Sequence, residues 1–146
     1  MRLAGSAAIV GIAELPAERK PTRPELFTLD QYAQLARMVL DDAGLPAGVV
    51  NGLISHGLAE SDMFVPATLS EYLGLPIDFG ERVDLGGATS AAMVWRAAVA
   101  VELGLCDAVL AVLPGSRARP RSTRRPTPAP KWCGASRNNY GARRTQ

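Results

Sequence analysis

The sequence predicts an α/β fold with a largely parallel or mixed sheet. Three observations carry this. Short continuous apolar runs, the pattern of buried strands, alternate with longer segments of helical spacing. Gly and Pro, 14 and 11 of the 146 residues, punctuate nearly every change of pattern. Apolar residues make up 47%, enough for the core of one domain or of part of a larger one.

Ala7 to Ala13, AAIVGIA, reads as the first strand, closed by Glu14, Leu15 and Pro16. Residues 16–27, PAERKPTRPELF, hold three prolines and read as a loop. Thr28 stands three residues before Gln31, the spacing of a capping box. From there Leu29, Tyr32, Ala33, Leu35, Ala36, Val39, Leu40 and Ala43 recur at helical spacing, and Gly44 with Pro46 ends the helix. Val49 to Leu58 contains a second strand, placed at Gly52 to Ser55. Pro66 to Leu73 is a short helix stopped by Gly74 and Pro76, and Arg82 to Leu85 a short strand. Gly86 and Gly87 permit a sharp turn. Ala88 to Leu103 follows as a helix with so few polar residues that burial on nearly all faces is expected. Asp107 to Leu113, DAVLAVL, is a further buried strand, closed by Pro114 and Gly115. The expected order is strand, helix, strand, helix, strand, helix, strand.

The near-neutral total, a formal net charge of +2, conceals a split. Residues 1–113 carry all 14 acidic groups and seven basic ones, while residues 114–146 carry eight Arg, one Lys, five Pro and no acid. The first part, taken as a domain over residues 1–115, can fold around a core. The second, residues 116–146, reads as a basic Pro/Arg-rich loop or disordered tail, because it repels itself and lacks an apolar period. Trp132 and Tyr140 in this tail invite a nucleic-acid reading, but no zinc-finger, helix-turn-helix or RNA-recognition signature accompanies them, which argues against nucleic acid as a partner. A long loop of an incomplete domain, or a shifted reading frame in a GC-rich gene, accounts for the same composition. Two cysteines make no disulfide framework, so a reducing, cytoplasmic setting is the default. No apolar run reaches the ~20 residues of a membrane span, and Glu14 and Glu18 after the apolar start do not read as a signal peptide.

Val83 to Met93, VDLGGATSAAM, is the most informative stretch. A strand running into two glycines and then a helix places backbone N–H groups at the end of a sheet, where an anion or a carbonyl oxygen can be held. Neither a dinucleotide fingerprint nor a Walker loop is present. The competing reading is that the glycines allow close helix–sheet packing. His56, in SHG past a strand, is a weak site candidate whose plainer role is a loop histidine with a local hydrogen bond. Asp84 is a second weak candidate, better placed to brace the turn through backbone N–H groups. Cys106 reads as a small buried hydrophobe. Cys133 has no His or acid beside it in sequence, and with Cys106 and His56 it makes no spaced metal motif, so no metal is expected. Trp95 belongs to a core or a subunit interface.

GGATSAAMVWRAAVAVELG and CDAVLAV, with the AIVGIAE start and the two earlier helices, resemble the N-terminal half of the thiolase superfamily over residues 5 to 115, in its lipid-transfer or sterol-carrier-type branch. The resemblance implies alternating helix and mixed β-sheet layers, of which this chain holds a partial N-terminal domain. It implies acyl-CoA thioesters as substrate class, no separate cofactor, a homodimer paired through sheet edges and, in some relatives, an OB-fold-like partner subunit. The family's reactive cysteine falls on Gly87, which has no nucleophile. This points to cysteine-free relatives that cleave a carbon–carbon bond in steroid side chains by retro-aldol chemistry, with acid–base residues in a C-terminal half. No catalytic residue is assigned within this chain. Gly86, Gly87, Ala88 and Thr89 become the candidates for a pocket wall or oxyanion site, and turnover by these 146 residues alone is not expected. The rival reading is a noncatalytic interaction module with a basic, polyanion-binding tail.

Overall fold

The computed structural model describes residues 5, 7–17, 27–59 and 61–115. The readings of Cys133, Trp132, Tyr140 and the whole basic tail lie outside the described residues.

The first helix, α1, runs Thr28–Ala43 with Phe27 as its N-cap residue and Gly44, at φ 64°, as its left-handed C-cap. Thr28 is therefore the first helical residue and not the cap, and the Gln31 N–H donates to the Phe27 carbonyl at 3.1 Å. Strand β1, Gly52–Ser55, is buried along its whole length. Helix α2, Val65–Leu73, carries Pro66 in its first turn, where a missing N–H costs nothing. Strand β2 spans Phe79–Arg82, a 3-10 turn covers Gly86–Ala88, helix α3 spans Thr89–Glu102, and strand β3 spans Val109–Val112.

The three strands are parallel in the order β2-β1-β3. That order dictates where the helices go. The first crossover steps from β1 outward to β2, and the second returns past β1 to β3. Right-handed crossovers in opposite directions must lie on opposite faces of the sheet. Accordingly α2, with α1 beside it, packs Tyr32, Leu35, Val65 and Leu69 against Leu53, Leu110 and Val112. On the other face α3 packs Met93 against Ile54, Val83, Phe79 and Val109. Full burial of each large apolar side chain contributes roughly 1.5–3 kcal/mol. β1, apolar on both faces, is the centre of both clusters.

Three expectations need correction. Ala7–Ala13 is not a strand, because among the described residues no neighbouring strand shares a hydrogen-bond ladder with it. Gly11 closes instead on α1, where an added Cβ would stand 2.6 Å from the Val39 carbonyl oxygen. The strand expected at Arg82–Leu85 lies three residues earlier. Asn51 fixes its start by accepting the Asp78 and Phe79 N–H groups at 2.7 and 3.2 Å. Finally, α3 is not buried on all faces: Val94 is 50% and Trp95 57% exposed, because no layer among the described residues covers its outer side.

Candidate functional site

In a parallel α/β sheet, ligands bind outside the carboxyl ends of strands whose crossovers leave on opposite faces. Here those strands are β1 and β2. Past their ends lie His56 and Gly57 on one side and Val83, Asp84 and the glycine turn on the other.

The turn is held from within. Thr89 is 2% exposed and is its central group. Its hydroxyl accepts the Leu85 N–H at 2.9 Å and donates to the Gly86 carbonyl at 2.8 Å. The Asp84 carboxylate accepts the Gly86 N–H at 3.3 Å. The Ala88 N–H donates to the Leu85 carbonyl at 3.2 Å, and the Thr89 N–H donates to the Gly86 carbonyl. Among the described residues, the Gly87 N–H is the donor of this turn left without an internal partner. Gly86 sits at φ 57°, a conformation in which a side chain is strained. A Cβ at Gly87 would meet no atom within 4 Å. The close-packing reading of the glycines is thus overturned. Gly86 serves backbone shape, and Gly87 faces open space.

His56 is tied in place by two bonds. Its N–H donates to the Tyr32 hydroxyl at 3.0 Å, and its Nδ1 lies 3.0 Å from the Val83 carbonyl. A carbonyl only accepts, so that bond requires the proton on Nδ1. The Tyr32 hydroxyl in turn donates to the Gly57 carbonyl at 3.3 Å. Burial pushes the Tyr32 phenol up to about 12 from its ordinary 10.0, against the smaller lowering effects of the His56 bond and Arg82. Arg82 ends β2, and its guanidinium donates to the Asp62 carbonyl at 3.0 Å with the Asp62 carboxylate 3.7 Å away.

Sequence reasoning named His56, Asp84 and the turn residues but missed Tyr32 and Arg82. Tyr32 was read only as a helix-face apolar residue. A tyrosine on the core stripe of a helix demands a buried partner for its hydroxyl, and that was the available signal. It also missed Asn51, at the opposite end of the sheet, which accepts the Asp107 and Ala108 N–H groups at 2.8 and 3.1 Å and donates to the Asp78 and Asp107 carboxylates.

Cys106 is 4% exposed at that opposite end, and burial first, then Asp107 and Asp78, pushes its thiol up. It is a packing residue, not a nucleophile. Among the described residues no group of three or more His, Cys, Asp or Glu side chains is placed to hold a metal ion, and no helix is long and apolar enough to cross a membrane.

No protein-family model matches this sequence, and no curated protein matches it significantly.

Proposed function

We propose that residues 1–115 form the N-terminal half-domain of a thiolase-like protein acting on acyl-CoA thioesters. The single observation that carries the reading is the junction of β2, the Gly86–Gly87 turn and α3 at the carboxyl end of a parallel sheet. The turn presents one donor without a partner among the described residues, the Gly87 N–H, at a glycine whose Cβ position is open. A thioester carbonyl accepting that bond would have its oxyanion held by a rigid, pre-formed group. One donor is half of an ordinary oxyanion hole, and Gly87 supplies no nucleophile. Acyl transfer or retro-aldol cleavage in lipid or steroid breakdown therefore needs acid–base groups outside this half-domain, and the 146 residues alone turn nothing over. The outer edge of β2, unpaired among the described residues, is the edge through which a homodimer would pair. An OB-fold-like subunit is the proposed second partner, and the proposed setting is cytoplasmic.

The test restores the missing side chain. In a Cys133→Ser background, Gly87→Cys places a thiol where space is free. With acyl-CoA, its thiolate would attack the thioester carbonyl, expelling CoA thiolate, which takes up the proton the cysteine lost. Mass spectrometry is expected to find one acyl group on residue 87, added at least ~10-fold faster than to a free cysteine peptide. Acylation no faster than the peptide would remove the acyl-CoA reading. The second reading, a noncatalytic interaction module with a polyanion-binding tail, is favoured by the exposed apolar side chains Val94 and Trp95 on α3.

A further inference from the structure

The bonds inside the glycine turn fix its shape but not its place over the sheet. They close within residues 84–89: the Gly86 N–H on the Asp84 carboxylate, the Thr89 hydroxyl between Leu85 and Gly86, and the Ala88 N–H on the Leu85 carbonyl. The turn's place is set by what holds its two flanks. Behind it stands α3, whose buried Met93 packs on Ile54 of β1. In front of it stands Val83, and both main-chain groups of Val83 are bonded to the end of β1.

Those two bonds are of different kinds. The Val83 N–H donates to the Ser55 carbonyl at 2.8 Å, the last main-chain rung between β1 and the chain leaving β2. In a parallel ladder a residue bonds to the positions either side of its opposite number. The next rung would therefore be the Gly57 N–H on the Val83 carbonyl. The His56 ring makes that bond instead, with Nδ1 3.0 Å from the Val83 oxygen. The Gly57 carbonyl is engaged on α1, where it accepts the Tyr32 hydroxyl at 3.3 Å. The same hydroxyl holds His56 by accepting its main-chain N–H at 3.0 Å, and Tyr32 is fully buried.

We propose that His56 is a positioning residue for the Gly87 N–H. Its Nδ1–H supplies the final rung of the β1–β2 pair, and that rung sets where the turn stands over the sheet. The proposal rests on the reading of the Gly86–Gly87 turn as the oxyanion site. A donor speeds attack on a thioester only where the oxyanion develops, and a displacement of about 1 Å can cost ~100-fold. His56 acts through Val83 and touches no reacting atom. Asn carries its amide Nδ2 on Cγ, as the ring carries Nδ1, so it can donate to the Val83 carbonyl. Leu has comparable bulk there and no donor.

The test uses the full chain as a Gly87→Cys, Cys133→Ser parent, with His56→Asn or His56→Leu added. Mass spectrometry follows two reactions of the thiol at residue 87, acylation by butanoyl-CoA and alkylation by iodoacetamide. Both draw on the same thiolate, but only acylation passes through an oxyanion, so their ratio reads the donor and not thiol exposure. His56→Leu is expected to lower that ratio by ~10-fold or more, and His56→Asn to keep it within ~3-fold of the parent. With Gly87 intact, proton–nitrogen amide spectra should show Gly86 and Gly87 shifted by His56→Leu, and the amides of β3 in place. If His56→Leu does not fold, His56→Gln replaces it, because its amide stands one carbon further out than Nδ1. A parent acylated no faster than a free cysteine peptide overturns the acyl-CoA reading, and the amide shifts then decide whether His56 places the turn. Unmoved Gly86 and Gly87 amides overturn the proposal. So does one ratio shared by the His56→Asn and His56→Leu chains.

Discussion

At the residue scale, a few polar side chains hold this small sheet. Tyr32 is fully buried and serves His56 and Gly57 at once. Its phenol titrates near 12 when folded and near 10.0 when unfolded. Above pH 10 the unfolded chain has lost this proton while the native state retains it, so stability falls as pH rises. Stability is intact below pH 10, and about 2–3 kcal/mol should be lost by pH 12. Urea denaturation across this range checks it, and Tyr32→Phe should remove this part of the slope. The variant should also cost about 1–3 kcal/mol at neutral pH, because the His56 N–H loses its acceptor. Thr89 is a second such residue. Thr89→Ala should cost about 1–3 kcal/mol by the same measurement, since the Leu85 N–H and Gly86 carbonyl lose their shared partner, whereas Thr89→Ser should retain most of the stability. Gly52 is a packing case. A Cβ there would come within 2.7 Å of the Cys106 sulfur and 3.0 Å of a Val109 methyl. Gly52→Ala should destabilise by about 1–3 kcal/mol, and Cys106→Ala in the same chain should recover part of the loss.

At the element scale, how much could be read in advance followed from what each element depends on. α1 depends mostly on its own periodicity, so the stripe from Tyr32 to Leu40 and the stop at Gly44 placed its body and its C-terminal end, whereas its cap is Phe27 and not the Thr28 of the expected capping box. β1 is apolar on both faces and was placed equally well. β2 is an edge strand with sequence FGER, and its polar Glu81 and Arg82 hide it from a hydrophobic pattern. Glu81 is ion-paired with Arg96 of α3, a contact between residues 15 apart that no local pattern announces. AAIVGIA has the composition of a buried strand, but strand formation requires a neighbour, and β3 stands across a groove from it. The turn before α3 was legible as a turn. The roles of its two glycines were not, because only backbone angles separate Gly86 from Gly87. α2 starts with a local strain that sequence could not reveal: its cap residue Phe64 has φ 52° while the residue is 74% exposed. The left-handed region costs an L-residue roughly 1–2 kcal/mol, and this phenyl ring recovers little by packing. Phe64→Gly should therefore stabilise the chain by about 1 kcal/mol in thermal or urea unfolding. Destabilisation would mean that the ring has a packing role its exposure does not indicate.

At the scale of the whole molecule, charge separates two segments of opposite sign. Residues 1–115 hold 14 acidic and seven basic groups, whereas residues 116–146 hold nine basic groups alone. A net of +2 is the near-cancellation of these two. A segment of nine cations attracts any polyanion by releasing counterions, and that attraction weakens steeply with salt. The acidic half opposes it through repulsion screened beyond roughly 8 Å at physiological ionic strength. The sequence carries no base-reading signature, so the interaction should be electrostatic and indifferent to the polyanion. The full chain should bind duplex DNA and heparin alike at 20 mM salt, and binding to both should fall by at least ~100-fold by 150 mM. Deleting residues 116–146 should abolish the binding at every salt concentration. Binding that persists at micromolar affinity in 150 mM salt, or that prefers DNA over heparin, would instead establish the basic segment as a dedicated nucleic-acid arm. That outcome would favour the interaction-module reading of the whole chain over the thiolase-like one.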